Sequence, residues 1–523
     1  MKKLSTILKG VDYISPAPNR FDAEKIFIKG IETDSRRLKE GYLFVALEGA
    51  HRRGADFIID AFADKKAAAA IIPRSAEEVI SNLPSGLDDV KSRIIVVEDS
   101  AVALGAISRN FYNNPTSDII LVGVTGTNGK TTFTYLMEAI LKEYFNKSGR
   151  SDDKVGVIGT INYRYGDKVV PSVNTTPFAH KLMEIFSGMR REGVAAAVME
   201  VSSHSLAQHR VDGCEFDVCV FTNLTQDHLD YHQTMENYYN AKKRLFTELL
   251  ERSGKKNKSH IVNLDDEWGV RLSREKINSS RLVTFSVNPD VTEASARVLS
   301  YKMSCRGMKL LCSVMGKEYE FETHLIGRYN ISNVVASVAA AYSLGIPFSV
   351  VKNGLLSVKR IPGRLETIHS RKKGFSVVVD YAHTPDALEK VMGVLRELKP
   401  ARLITVFGCG GDRDRTKRPV MGQLAVKHSD YVILTSDNPR TEDPHKILLD
   451  IEIGIKKIGA ENYTIISDRE KAIEAAISMA SEGDIILLAG KGHEDYQIIG
   501  DEKIHFSDYE VAKKFLDVRN KNP

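Results

Sequence analysis

The stretch Ile119-Ile-Leu-Val-Gly-Val-Thr-Gly-Thr-Asn-Gly-Lys-Thr-Thr132 constrains this chain more than any other. Its apolar part, Ile119 to Val124, reads as a buried parallel strand. Gly126 and Gly129 follow, and Lys130-Thr131-Thr132 opens a segment with helical character through Lys142. A strand feeding a glycine-rich turn at the start of a helix is how a polypeptide cradles phosphate. Glycines let backbone N–H groups approach the anion, the helix N-terminus adds positive potential, and a lysine offsets β/γ-phosphate charge. The Thr131 hydroxyl is then placed to reach a magnesium ion. Candidate nucleotide contacts are therefore Gly126, Thr127, Asn128, Gly129, Lys130, Thr131 and Thr132. The common spacing of such loops would put glycine at 124, where this chain has Val124. A plain glycine-rich turn is the alternative, and Gly-Lys-Thr-Thr directly after a strand argues against it.

At 523 residues the chain has room for three domains, taking roughly 150 residues for each. With 42% hydrophobic and 27% charged residues it has the balance of a globular protein able to bury real cores. Lysine plus arginine (73) barely exceeds aspartate plus glutamate (68), which gives no nucleic-acid footprint. Cys214, Cys219, Cys305, Cys312 and Cys409 lack metal-ligand spacing and read as reduced thiols of a cytoplasmic protein. The N-terminal apolar segment is too short for a signal peptide, and no run is long enough for a membrane span.

Residues 1–115 form a first unit with a small α/β pattern. It holds the strand Gly41–Leu47, a helix from Ala55 to Lys66, and strands Ala68–Ile72 and Arg93–Val97. Asp34-Ser35-Arg36 and His51-Arg52-Arg53 are either solvated turns or, together, a diphosphate site.

The middle unit, 116–361, contains the phosphate loop and strand Val155–Thr160. The polar turn Asn174-Thr175-Thr176-Pro177 follows, then an apolar run ending on Glu200. A carboxylate at the carboxyl edge of a parallel sheet suits magnesium, which takes one or two protein oxygens and fills its shell with phosphate and water. Strand Phe216–Thr222 leads to Asp227-His228 at the same edge. Lys242-Lys243 on the next helix reads as a solvated face. His324 to Asn333 is expected to cap an alanine-rich helix, and Pro362-Gly363 punctuates a linker.

The third unit, 362–523, alternates strands and helices. Strands end on Asp380-Tyr-Ala-His383, Gly408-Cys-Gly-Gly-Asp-Arg413, Ser436-Asp-Asn-Pro-Arg440 and Gly490-Lys-Gly-His-Glu494. Four polar loops at one edge describe a doubly wound sheet with a ligand crevice.

Together, Thr125 to Thr132, Glu200-Val-Ser-Ser-His204, Asn223 to His232, Tyr329-Asn330, Pro362-Gly-Arg364, Asp380 to His383 and Asp437-Asn-Pro-Arg440 resemble the Mur ligases of peptidoglycan synthesis over nearly the whole chain. Within the family the likeness is to its diaminopimelate-adding branch. The resemblance implies an α/β protein of three domains. These are an N-terminal UDP-binding domain, a central P-loop ATPase-type parallel sheet and a C-terminal Rossmann-like domain for the incoming amino acid.

It also implies roles. Lys242 matches a lysine that takes up CO2 as a carbamate (N6-carboxylysine) and holds a second magnesium ion with His228, while Thr131 and Glu200 hold the first. Lys130, Glu200, His228 and Lys242 are thus the expected catalytic set. Ser35 and the His51 region match the uridine-diphosphate site, and Thr175, Thr176, Ser202, Gln208 and Arg210 the muramoyl-dipeptide contacts. Asn330, Arg364 and Asp380 match nucleotide contacts, and Arg413, Asp437, Asn438, Pro439, Arg440, Gly490 and Glu494 the diaminopimelate pocket. The implied substrates are ATP, UDP-N-acetylmuramoyl-L-Ala-D-Glu and meso-diaminopimelate. No nucleic-acid partner is implied, and the chain is expected to act as a cytoplasmic monomer.

The implied chemistry is carboxylate activation as an acyl phosphate, followed by amine attack. Lysine-adding Mur ligases and folylpolyglutamate synthetases share the ATP loop, but Asp437-Asn-Pro-Arg440 and Asp34-Ser-Arg36 argue against both. A nucleotide-dependent binding protein without chemistry would not need Lys130, Glu200, His228 and Lys242 intact.

Overall fold

Three separate sheets organise the chain in a computed structural model that describes residues 1–49, 52–84, 86–370 and 374–521. The first contains β1 (Gly30–Glu32), β2 (Tyr42–Val45), β3 (Ala69–Pro73) and β4 (Ile94–Val97), parallel and in that order. Its alternating side chains feed two apolar clusters: Leu43, Val45 and Ile71 on one face, Phe44, Ala70 and Ile72 on the other. The helix expected over 55–66 is a 3-10 turn, Gly54–Phe57, then Ile58–Ala63; beyond it the chain turns away, with Lys66 at φ 52°.

The second sheet contains β5 (Ile120–Thr125), β6 (Lys154–Ile158), β7 (Asn162–Tyr165), β8 (Lys168–Pro171), β9 (Val194–Glu200), β10 (Val218–Phe221), β11 (Ser259–Asn263), β12 (Arg281–Ser286) and the start of β13 (Ala296–Ser304). Its order runs β8-β7-β6-β9-β5-β10-β11-β12-β13, with β7 and β8 an antiparallel hairpin at one edge and parallel pairing from β6 to β13. Strands in the middle of such a sheet are buried on both faces, which is why β5 and β9 read as continuous apolar runs.

The chain folds as two compact units, and they cut it differently from the borders expected at 115/116 and 361/362. One is Met1–Arg297 with Val335–Gly354; the other is Val298–Val334 with everything from Leu355. The first two sheets share a unit because helix α1 (Ser100–Phe111) packs against the helix over Ala179–Arg191, and Ala179 joins the apolar cluster of the first sheet. Buried Glu32, at the end of β1, also has His180 Nε2 3.3 Å from its Oε1.

That pair predicts a pH effect. Burial works against the Glu32 carboxylate, but the neighbouring imidazole and the N–H groups of Thr33 and Asp34 outweigh it and hold the carboxyl at about 2. A carboxyl lowered by folding stabilises the native state above its unfolded value near 4.5 and loses that contribution as pH falls towards 2. Glu32→Gln should therefore melt below the wild type at pH 7, with the gap narrowing between pH 4.5 and 3. A gap that stays constant across that range would contradict the pairing.

In the second unit β14 (Gly307–Val314) and β15 (Lys317–Thr323) form a hairpin, and helix Arg328–Ser343 begins soon after. Asn330 and Asn333 thus lie inside the helix rather than capping it. The third sheet contains β16 (Glu366–His369), β17 (Ser376–Asp380), β18 (Leu403–Phe407), β19 (Tyr431–Leu434), β20 (Tyr463–Ile465) and β21 (Ile485–Ala489), ordered β16-β17-β21-β18-β19-β20. All pairs are parallel except β16 with β17. Val378, Leu403 and Leu487 pack under helices Pro385–Glu397, Lys417–His428 and Pro444–Lys457. Val377, Val379, Ile404 and Ile486 pack under Arg469–Met479 and Asp508–Lys521. The sheet is doubly wound, as the sequence predicts.

Candidate active site

In the first unit three parallel strands end level with one another: Glu200 of β9 pairs with Val124 of β5, and Phe221 of β10 with Thr125. Val124, where the usual loop has glycine, lies inside β5, so the turn starts only at Gly126. Gly126 has φ 149°, and a Cβ there would fall 1.9 Å from Thr222 Oγ1. Thr127 N–H donates to the Asn223 carbonyl (2.9 Å) and Asn128 N–H to Asn223 Oδ1 (2.9 Å), so the segment after β10 clamps the loop. Gly129, at φ 89°, turns the chain into the helix Lys130–Lys147. The Lys130 ammonium folds back onto the carbonyls of Gly126 and Thr127, each at 2.9 Å.

Glu200 is buried beside the loop. Its Oε1 accepts from Thr131 Oγ1 (3.0 Å) and Thr160 N–H (2.9 Å), and its Oε2 from Thr160 Oγ1 (3.0 Å). A hydroxyl and a carboxylate side by side at a phosphate cradle are hard oxygen donors of the kind magnesium takes. Among the described residues no three of His, Cys, Asp and Glu converge on a metal cage, so an ion here would draw the rest of its shell from phosphate and water.

Lys242 corrects the sequence expectation of a solvated pair of lysines. It is 1% exposed, with Nζ donating to the Gly126 carbonyl at 2.9 Å and lying 4.6 Å from the Tyr238 ring centre. Lys243 alone takes the polar role, paired with Glu275 at 3.0 Å. The helix Met235–Arg244 turns Tyr238 and Lys242 inward, in line with buried Leu245 and Phe246 beyond it. Burial, then the positive charge of Lys130, pushes the Lys242 amine well below its ordinary range. His228, in the left-handed region at φ 52°, stands half-exposed with its ring 4.8 Å from that of His204 and 6.1 Å from that of Tyr238. Burial and then the charge of His204 push His232 down to about 4; its Nε2 sits 3.0 Å from Ser203 Oγ.

A hydrogen-bonded chain extends from Glu200 across the expected dipeptide contacts. Thr160 Oγ1 is 3.1 Å from Thr175 Oγ1, and Thr176 Oγ1 donates to the Glu200 carbonyl (2.8 Å) and accepts from Ser202 N–H (3.2 Å). The Arg210 guanidinium donates to the Thr176 carbonyl (3.0 Å), grips Gln208 Oε1 and stacks 4.1 Å from the Phe178 ring centre. Gln208 Nε2 donates to Tyr231 OH at 3.3 Å. Sequence reasoning brings Thr131, Glu200, Thr175, Thr176, Ser202, Gln208 and Arg210 to this place but misses Thr160, Phe178, Tyr231 and Tyr238. Thr160 follows β6 at the same edge as Glu200, a signal that could have found it.

Ser35 begins a 3-10 turn after Asp34, whose carboxylate accepts from Arg36 N–H. His51 lies outside the described residues.

Within the second unit Asp380, at the end of β17, is buried and accepts from Leu365 N–H at 2.8 Å; burial raises its carboxyl, and the Arg364 charge opposes that rise. Arg364 stacks 5.3 Å from the Tyr381 ring centre, and Asn330 Nδ2 donates to the Ile326 carbonyl at 2.7 Å.

The expected amino-acid pocket gathers at the carboxyl ends of β18, β19 and β21. Asp437 Oδ1 accepts from Asn438 N–H (2.6 Å), and Asp437 Oδ2 lies so close to Gly490 that a Cβ there would be 2.6 Å away. Asn438 Nδ2 donates to Glu494 Oε2 at 2.8 Å. Arg440 holds φ 53°, uncommon for a side chain of that size. Its backbone is pinned by Ile498 and Gly500 (3.0 and 2.8 Å), and its Nη1 donates to the Gly411 carbonyl (2.8 Å). Arg413 is exposed, and a Cβ on Gly410 would lie 3.0 Å from Arg440 Nη1 and 3.8 Å from Arg413 Cγ. Buried Pro439 completes the turn.

Family models match three consecutive stretches: the Mur ligase family catalytic domain over 27–112, the Mur ligase middle domain over 124–341, and the Mur ligase glutamate ligase domain over 363–492. A UDP-N-acetylmuramoyl-L-alanyl-D-glutamate–2,6-diaminopimelate ligase from Geobacter metallireducens is 43% identical over 510 residues, covering 94% of this chain and 95% of that one. The ligase of the same name from Caldanaerobacter subterraneus is 41% identical and covers 98% and 99%. A solved structure with that ligase name superposes with a TM-score of 0.68 at 30% identity, covering 97% of this chain and 99% of that one. The MurF ligase from Thermotoga maritima in complex with ADP shares the fold, with a TM-score of 0.60 at 20% identity over 95% of this chain and 99% of that one.

Proposed function

Because the chain belongs to the Mur ligase family, we propose that it joins meso-diaminopimelate to the D-glutamate γ-carboxylate of UDP-N-acetylmuramoyl-L-Ala-D-Glu, converting ATP to ADP and phosphate. The reaction serves peptidoglycan precursor synthesis in the cytoplasm, and through it cell shape and division.

A carboxylate resists an amine because its carbonyl carbon is shielded by negative charge and its leaving group is poor. Transfer of the ATP γ-phosphoryl to the carboxylate oxygen makes an acyl phosphate and releases ADP. The diaminopimelate amine then attacks the carbonyl carbon, the tetrahedral adduct expels phosphate, and the amine loses a proton. The first step brings two anions together. Lys130 and the N-terminus of its helix offset their repulsion from the loop side. Thr175, Thr176, Ser202, Gln208 and Arg210 hold the dipeptide so that its carboxylate faces the loop, which converts an encounter into a positioned reaction.

Magnesium fits this donor set: Thr131 and Glu200 would hold one ion, and His228 with a carbamate on Lys242 a second. When bound, the ions supply positive charge to the phosphoryl oxygens. The carbamate forms as the neutral Lys242 nitrogen attacks CO2 and loses a proton, which requires the amine kept neutral by burial. Asn330, Arg364 and Asp380 are assigned to the nucleotide, and Ser35 with the His51 region to the uridine diphosphate.

The observation that carries the choice of amino acid is Arg440, whose Nη1 is fixed beside Gly410 and Gly411 and lies 3.5 Å from the Asn438 carbonyl. Diaminopimelate has a distal carboxylate that lysine lacks, and an arginine fork binds a carboxylate in bidentate fashion. Arg440→Ala should lower kcat/KM for diaminopimelate by about tenfold or more, the scale of one lost charge-assisted hydrogen bond. The Michaelis constants for ATP and the UDP substrate should not change. Wild-type kinetics with diaminopimelate in this variant would remove the pocket assignment.

A further inference from the structure

Lys491 follows Gly490 after β21, and its side chain is fully buried. Its Nζ lies 3.3 Å from Glu494 Oε2 and 3.4 Å from Asn438 Oδ1, and it donates to the Tyr496 carbonyl. A buried ammonium is costly unless its protons are satisfied and its charge is paired. Here three acceptors meet it, and two of them belong to side chains of the amino-acid pocket.

The arrangement fixes a choice that Asn438 cannot make alone. A carboxamide can present oxygen or nitrogen in either direction. Two donors, Lys491 Nζ and Ile498 N–H (3.0 Å), converge on Asn438 Oδ1, so its Nδ2 points to Glu494 Oε2 at 2.8 Å. Glu494 Oε2 is thereby held between a cation and an amide donor. The backbone of the same segment continues into the hairpin of strands Tyr496–Ile499 and Glu502–His505, whose Ile498 carbonyl accepts from Arg440 N–H. One buried lysine thus ties together the two sides of the pocket.

We propose that Lys491 is a positioning residue for the incoming amino acid: it locks the Asn438–Glu494 pair in the one orientation that receives the substrate's ammonium and carboxylate groups. This rests on the functional reading above and goes beyond it, since Lys491 is given a role that acts through Asn438 and Glu494.

The test is steady-state phosphate release by full-length Lys491→Met, varying diaminopimelate, ATP and the UDP substrate in turn. The expected result is at least a tenfold rise in KM for diaminopimelate, with kcat within about threefold of wild type and the other two constants unchanged. In the Asn438→Ala background the same substitution should add less than threefold, because the group it orients is gone. If Lys491→Met does not fold, Lys491→Gln, which keeps a donor for Asn438 but not the charge facing Glu494, should raise the diaminopimelate KM alone, by less than Lys491→Met would. An unchanged KM for diaminopimelate, or parallel losses for all three substrates, would overturn the positioning role and leave a purely structural lysine. Wild-type enzyme that fails to turn over diaminopimelate would instead overturn the functional reading itself.

Discussion

Replacing Lys130 with alanine is expected to lower kcat by about a thousandfold, the scale of losing one preorganised charge that acts on the transition state. The proposed role fits its position: the ammonium lies 2.9 Å from the carbonyls of Gly126 and Thr127, within the candidate phosphate loop. The KM for diaminopimelate should stay within about threefold, since the side chains assigned to it belong to other strand ends. Lys130→Arg keeps the charge but replaces a compact ammonium by a planar fork, so it should recover little. Single-turnover measurement of acyl-phosphate formation locates the defect. Normal phosphoryl transfer in Lys130→Ala would contradict the phosphate-loop account.

Lys242→Met should cost a loss of similar size, about a thousandfold, but for a different reason. An unmodified Lys242 contributes no anionic ligand; as a carbamate it would contribute two oxygens that share one negative charge. The structure supplies what favours it: a buried amine pushed well below its ordinary range by burial and by the Lys130 charge, and held against the Gly126 carbonyl. Wild-type activity should accordingly fall in CO2-stripped buffer and return with bicarbonate, whereas Lys242→Met should respond to neither. A bicarbonate-independent wild type, or full turnover by Lys242→Met, would rule the carbamate out.

What the sequence makes legible here is what local rules govern. The candidate phosphate loop is written in the eight consecutive residues Thr125–Thr132, and Glu200 stands at the end of an apolar run, so both can be read without knowing their neighbours. The alternation of Val377, Val378 and Val379 between two apolar clusters likewise follows from strand geometry alone. Thr160 is harder: its contact with Glu200 depends on β6 lying beside β9, and sheet order is not a local property. Lys242 is misread because two adjacent lysines look solvated, although Tyr238, Lys242, Leu245 and Phe246 share one helical face. The borders expected at 115/116 and 361/362 differ from the compact units for a related reason. Packing of Ser100–Phe111 against Ala179–Arg191 joins the first two sheets across any linker signal. Lys491 escapes notice inside a Gly-Lys-Gly-His-Glu turn because only tertiary structure buries it against Asn438.

The proposed reaction is decided by phosphate release with ATP and UDP-N-acetylmuramoyl-L-Ala-D-Glu, comparing meso-diaminopimelate with L-lysine as the third substrate. Turnover should require all three substrates, with diaminopimelate used and lysine not. Equal or faster turnover with lysine would contradict the role given to Arg440, and phosphate release that ignores the amino acid would contradict the ligase reaction itself.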